Sequence, residues 1–261
     1  MTSKNRKNIT DLRELSILVS LYGLSFMLKN KTTNTDKYFE YQFDKCNPIA
    51  LEKQLKTIIK ERPILKETFA KVNIIHHNNL NTLVPQKYFN QTLLKDYLKF
   101  NIQLIDNDFA DFDEINNLQS NNIYLPFVNI NNVFLDFNNS VNYYHSASLF
   151  LKEINHLFKQ NVELSLYEVF INVYPNDFQL AIFINEKLYL YNHFDYKSVD
   201  EFLYFLFFAI ESVEVDESKT KYTILGISEN HEIIKNLKDF TTKLKVVSSK
   251  IDSQLNNYIL S

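Results

Sequence analysis

Few residues in this chain stand where chemistry would need them. His76 and His77 are adjacent at the end of the apolar run "KVNII". Neighbours on a strand point to opposite faces, which suits a single metal ion poorly, so both are expected to be ordinary loop or edge histidines. His145, His156, His193 and His231 show no ligand spacing. His145, Ser146 and several aspartates could be assembled on paper into a Ser/His/Asp relay, but no G-x-S-x-G elbow supports it. The run "DNDFADFDE" (106–114) alternates carboxylates as a calcium loop does, yet lacks that loop's glycine and terminal glutamate. It reads as a solvated acidic loop. Cys46 precedes a helix start, where thiolates can be activated, but a small buried side chain is the simpler expectation. No catalytic residue, metal site or cofactor is expected from these groups.

The bulk composition narrows the classes further. The chain has 261 residues, 45% hydrophobic and 23% charged, which is a globular rather than a disordered mixture. A net charge of -3, spread rather than blocked, gives no surface for tracking phosphates, so no direct nucleic-acid binding is expected. The longest apolar stretch, "FLYFLFFAI" (202–210), is far below the ~20 residues that span a bilayer. No membrane insertion is expected. One cysteine leaves no internal disulfide, and a reducing, cytoplasmic setting follows as the default.

The elements that would have to position any site come in two sets. "LSILVSLYGLSFML" (15–28) and "VFINVYPNDFQLAI" (169–182) align without a gap at an offset of 154, Ile17 on Ile171 and Phe26 on Leu180. Both alternate apolar residues and both break at a turn, which predicts a β-hairpin in each. A third strand, "YFEYQFD" (38–44), matches "YLYNHFD" (189–195) at 151. At that same offset Leu51, Leu55, Ile58 and Ile59 match Phe202, Leu206, Ala209 and Ile210, the spacing of one helical face, with Pro48 and Ser198 near the starts. A fourth strand, "KVNII" (71–75), matches "KYTIL" (221–225) at 150. An amphipathic segment closes each set, 90–100 in the first and 231–244 in the second. Each half therefore reads βββ-α-β-α, and the chain is predicted to be α/β and duplicated. The halves are drawn at 1–162 and 163–261. Within the first, 116–122 is expected to be an asparagine-rich loop and 123–128 a strand. A further short strand near "VFLDF" or "VNYYH" leads to a helix over 146–160. The 202–210 helix is apolar nearly all round, which predicts either enclosure within the chain or an aromatic docking patch.

Tandem βββαβα units, of ribonuclease H-like type, resemble the actin-like ATPase superfamily, which holds sugar kinases, heat-shock chaperones and actin-like proteins of pilus assembly. Through "LSILVSLYGLSFML", "TLVPQKYF" (82–89) and "INVYPNDFQLAIFINEKLYLYNHF" (171–194) the chain is also similar to an uncharacterised family of Bacteroidetes proteins with that fold. The resemblance implies a two-lobed actin-like fold. It also implies where a nucleotide site would lie. In active relatives the hairpins wrap the phosphates, using an aspartate to hold Mg²⁺ through water and glycines that bare the backbone N–H groups. Against the pattern DIGGGTTDVAIF, Asn172 falls on the aspartate, and Tyr174, Pro175 and Asn176 on the three glycines. In the first hairpin Leu18 is the counterpart of Asn172, Ser20 and Leu21 follow where a glycine is required, and Gly23 is the lone glycine. After the last strand only Gly226 remains of the nucleoside-binding turn. With two glycines in the chain, three glycine-dependent loops cannot all exist. The expectation is a non-catalytic actin-like protein, a pseudo-ATPase acting as a cytoplasmic scaffold or partner-binding module, through a protein partner or self-association. The alternative is a nucleotide sensor or ATPase with a remodelled interlobe cleft.

Overall fold

The computed structural model describes residues 13–33, 35–135, 141–160, 165–241 and 243–247. The chain divides into two compact units, one formed by 1–113 with 122–146 and the other by 114–121 with 147–261. Among the described residues no helix is long and apolar enough to cross a membrane, which says nothing of strands crossing as a barrel.

The first unit opens on β1 (Arg13–Ser20), β2 (Gly23–Asn30) and β3 (Thr35–Gln42), an antiparallel meander. Helix α1 (Pro48–Glu61) and strand β4 (Lys71–His76) follow, and β4 returns parallel to β1. Leu15, Ile17 and Val19 project from alternate positions of β1 into a core completed by Leu24, Phe26, Leu51, Leu55, Ile58 and Ile59. The helix begins where the sequence indicates: Asn47 accepts from the Ala50 N–H at 2.9 Å, and Pro48, which has no N–H to lose, occupies the first turn.

The second unit repeats this order. β9 (Tyr167–Val173), β10 (Asp177–Ile184) and β11 (Lys187–Asp195) form its meander, then α5 (Val199–Glu211) and β12 (Thr220–Leu225), again parallel to its first strand. Val169, Ile171 and Val173 face the core from β9 as Leu15, Ile17 and Val19 do from β1, at the expected offset of 154. The buried positions of α5 are Phe202, Leu206, Ala209 and Ile210, the four predicted, as are the four of α1. Ser198 caps α5 by accepting from the Glu201 N–H at 3.1 Å, while Glu201 accepts from the Lys197 N–H at 2.7 Å. Ser198→Ala is therefore expected to lower stability by about 1 kcal/mol, measured by urea unfolding, with no change in far-ultraviolet dichroism.

Both sheets carry a fifth strand in the same place. β8 (Val141–His145) lies parallel outside β4, and β13 (Leu244–Val247) parallel outside β12, giving the orders β3-β2-β1-β4-β8 and β11-β10-β9-β12-β13. "VNYYH" is thus the further strand, whereas Val133–Leu135 of "VFLDF" are helical and its last two residues lie outside the described ones.

The closing helices differ from the sequence reading. Only Leu94–Leu98 of the 90–100 segment forms an α-helix, α2, and Leu98 packs in a separate small cluster with Val84, Ile123 and Leu125. The element on the first unit's core is α3 (Val128–Leu135), which contributes Ile130, Val133 and Phe134. Its counterpart is α6 (Glu232–Leu237), shorter than the predicted 231–244 because Leu244 turns into β13. The excess sequence before α3 makes a three-stranded sheet, order β5-β7-β6, from β5 (Asn81–Pro85), β6 (Asp111–Ile115) and β7 (Ser120–Tyr124). Asn121 and Asn122 are buried in β7 rather than looped out, the latter accepting from the Asn81 amide at 2.7 Å. The strand expected at 123–128 accordingly starts earlier and ends at Tyr124. Helix α4 (Ser146–Gln160) has its predicted bounds. Its Phe158 ring stands 5.2 Å from Phe170 and 5.0 Å from Phe183, covering the face of the second sheet opposite α5.

Candidate functional site

The positions singled out by sequence fall in or near the first hairpin of each meander, except Gly226, which follows β12. In the first unit Leu18 is buried in mid-strand, opposite Ser25 and Ile75 in register. Ser20 turns its side chain into the hairpin, where Oγ accepts from the Tyr22 N–H at 3.1 Å. Gly23 opens β2 against β3; a Cβ there would lie 2.6 Å from the Tyr41 carbonyl oxygen, so strand packing alone explains the glycine.

The second unit's hairpin is tied more tightly. Asn172 is fully buried, and its amide donates to the Tyr174 phenol at 3.1 Å and to Gln179 Oε1 at 3.2 Å. The Tyr174 N–H is spent on the Asp177 carbonyl at 2.9 Å, and its own carbonyl accepts from the Tyr196 hydroxyl at 2.6 Å. Pro175 is exposed at the tip and has no N–H. Asp177, buried, meets His193 Nε2 at 2.9 Å. Burial, with Asp177 adding to it, pushes the Tyr196 hydroxyl up to about 12, so it remains a donor at any physiological pH.

Of these residues Tyr174, Pro175 and Tyr196 form one wall of an open depression of ≈ 690 Å³. The start of α5 and the start of α6 close it, through Ser198 and Asp200 on one side and His231 and Glu232 on the other. Gly226 forms its floor at φ +91, where a Cβ would fall inside the Val173 carbonyl oxygen. Lys197, Asp200 and Glu232 are its fully charged members, so two carboxylates face one ammonium. Asp200 and Glu201 already complement the positive end of α5. The depression therefore suits a neutral or cationic group better than an anion.

Several other sequence readings change in the structure. His76 is neither a loop nor an edge residue: it ends β4, which is paired on both sides, and its ring is fully buried, whereas His77 lies in the connection just past β4 with its ring nearly fully buried. Ser146 meets His77, not His145: the His77 Nδ1 to Ser146 Oγ distance is 2.8 Å. His145 instead uses its ring Nε2 on Asn78 at 3.3 Å and its backbone N–H on Asp113 at 2.7 Å. Asp113, from the supposed solvated run, is consequently buried in β6. Cys46 is half-buried against the first core, and burial pushes its thiol up, away from the reactive thiolate. The His193–Asp177 and His77–Ser146 pairs had no signal in linear spacing, since each joins residues on different strands or elements.

Residues 2–244 match the model of a family described as a protein of unknown function, DUF3822. The chain belongs to the DUF3822 family. No curated protein matches this DUF3822 chain. Among solved structures it is similar to a Bacteroides thetaiotaomicron VPI-5482 protein with an actin-like ATPase fold and unknown function. That likeness has a TM-score of 0.80 and 19% identity, over 95% of this chain and 96% of the other. It is also similar to a chain in the PilM–PilN type IV pilus biogenesis complex, with a TM-score of 0.56 and 11% identity over 90% and 88% of the two chains. The fold is therefore actin-like, as the duplicated pattern implies.

Proposed function

We propose that this DUF3822 chain is a non-catalytic actin-like protein, with a degenerate nucleotide site, that works in the cytoplasm as a partner-binding module. The observation that carries the reading is the state of the second hairpin's donors. A phosphate-wrapping turn needs free backbone N–H groups in sequence. Here one is bonded to Asp177, the next is missing at Pro175, and the Tyr174 side chain fills the space behind them. Asn172 carries no charge with which to orient hydrated Mg²⁺. The depression beside this hairpin gains more negative than positive charge from its lining, which opposes a triphosphate further. In the PilM–PilN complex a chain of similar fold is held with a protein, which supports protein binding as a use of the architecture.

A second reading draws on the depression itself. Its volume of ≈ 690 Å³ is in the range that accepts a small molecule, and its tyrosines and Ile227 offer an apolar wall. A nucleoside or other uncharged ligand would fit a sensor.

Thermal unfolding with Mg-ATP and, separately, with adenosine separates the two. A ligand that binds only the folded chain at 100 times its Kd stabilises it by about 2.7 kcal/mol. The proposal expects no rise in Tm with either ligand at millimolar concentration. A reproducible rise, absent in Tyr196→Phe or Asp200→Ala variants, would overturn it in favour of the sensor.

A further inference from the structure

The outer face of α5 is unlike anything the fold requires. Tyr204 and Phe208, one turn apart, are 63% and 60% exposed. Their rings stack on each other at 6.2 Å, and Tyr204 also meets Phe205 edge-on at 5.4 Å. Phe205 and Phe207 on the flanks are half-buried, the first against Phe194 at 5.4 Å and the second against the exposed Phe240 at 4.8 Å. The exposed pair is thus mounted on a rigid aromatic base, and ordering it on contact costs little entropy.

The duplication supplies an internal control. At the offset of 151 the counterparts of Tyr204 and Phe208 in α1 are Lys53 and Thr57, both exposed. The same helix, in the same position on the same sheet order, thus folds with polar residues there. Packing does not account for the two rings on α5.

Charge identifies what covers them. Asp200, Glu201 and Glu211 are all exposed and lie at the two ends of the Tyr204–Phe208 pair, while α5 contains no lysine or arginine. Glu211 even sits in the last turn, where the helix dipole favours a cation. A second copy fits badly. Antiparallel pairing about the two rings would set Glu201 of each copy against Glu211 of the other, and parallel pairing would set each acid against itself; like charges brought together in this way oppose association. We propose that this face docks a basic amphipathic helix of a partner protein, with two apolar side chains over Tyr204 and Phe208 and lysine or arginine beyond each end. Cation–π contact with the exposed rings would add to the pairing with the carboxylates. This inference rests on the partner-binding reading and gives that partner a chemistry.

The test uses the full chain and two fluorescein-labelled synthetic helical peptides. One carries leucines four residues apart with lysine or arginine three residues outside each; in the other, glutamate replaces every basic residue. Fluorescence anisotropy should show saturable binding of the basic peptide, at least about tenfold tighter than the acidic one and weakened by added salt. Tyr204→Ser with Phe208→Ser should abolish it without lowering Tm, since both side chains are exposed. Glu211→Lys should weaken the basic peptide and improve the acidic one. Equal affinity for both peptides, absence of binding at millimolar peptide, or insensitivity to these substitutions would overturn the proposal. So would a dimer in sedimentation velocity that Phe208→Ser dissolves, because the face would then be a self-interface. A Tm rise with Mg-ATP would defeat the non-catalytic reading while leaving the peptide result to stand or fall separately.

Discussion

Gly226→Ala will cost the second unit about 3 kcal/mol or more, a large share of the roughly 5–15 kcal/mol that holds an ordinary domain folded. Two effects add. The residue sits at φ +91, a region that side chains with a Cβ rarely adopt. The new methyl would also overlap the Val173 carbonyl oxygen, a backbone atom held in β9 and unable to swing aside as a side chain would. Relief would require β9 and β12 to separate just where Leu225 registers with Asn172. Gly23→Ala provides the comparison. It meets only the steric part, with Tyr41, and has no positive φ to maintain, so its loss should be smaller. Urea unfolding of the two variants beside the parent decides the matter. A Gly226→Ala protein within about 1 kcal/mol of the parent would show that this turn can relax, against the packing described.

The second large effect is a pH dependence centred on His76. This ring lies on the central strand β4, fully buried among Tyr124, Phe127 and Tyr143, and its Nδ1 accepts from the Phe127 N–H at 3.2 Å. Burial pulls its pKa from 6.5 down to about 3, with the Asn131 side chain acting weakly the other way. The unfolded chain therefore takes up the proton first as the pH falls. The stability this neutral histidine confers is complete above pH 6.5 and is lost progressively toward pH 3. The loss amounts to roughly 2 kcal/mol by pH 5 and about 5 kcal/mol over the whole window. Carboxylates titrate over the lower part of the same range, so the diagnostic quantity is a difference. His76→Asn keeps an acceptor for Phe127 but cannot be protonated. Its unfolding free energy should start lower, from the lost ring packing, and then fall about 2 kcal/mol less than the parent's between pH 7.5 and 5. Parallel curves for the two proteins would show that the imidazole is not the group responsible.

How much of this molecule was legible before its structure depended on the range over which each interaction acts. Strand and helix periodicity is local, so Ile17 with Ile171, and Leu51 to Ile59 with Phe202 to Ile210, announced two copies of one unit, and the copies have the same strand order. The helix-start residues Pro48 and Ser198 and the hairpin breaks at Tyr22-Gly23 and Pro175-Asn176 are equally local. The closing helix of the first unit is ambiguous in the sequence because the 90–100 segment and α3 both carry apolar residues that pack. Which of them covers the sheet is settled by the long excursion through β5, β6 and β7, not by either pattern. The buried place of His76 is hidden from the sequence for a related reason. A strand is central only once a later strand, here β8, pairs outside it, and that partner begins 70 residues after Lys71.

By itself, then, the sequence determined the α/β class, the duplication and a chain with only two glycines, because residue type and short-range period are written directly in it. Tertiary structure alone decided which polar groups meet: Ser146 with His77, Asp177 with His193, Asn172 with Tyr174 and Gln179. It also decided that the aromatic flank of α5 is left uncovered. Such contacts arise from the stacking of elements distant along the chain, and burial belongs to the assembled fold rather than to any segment of it.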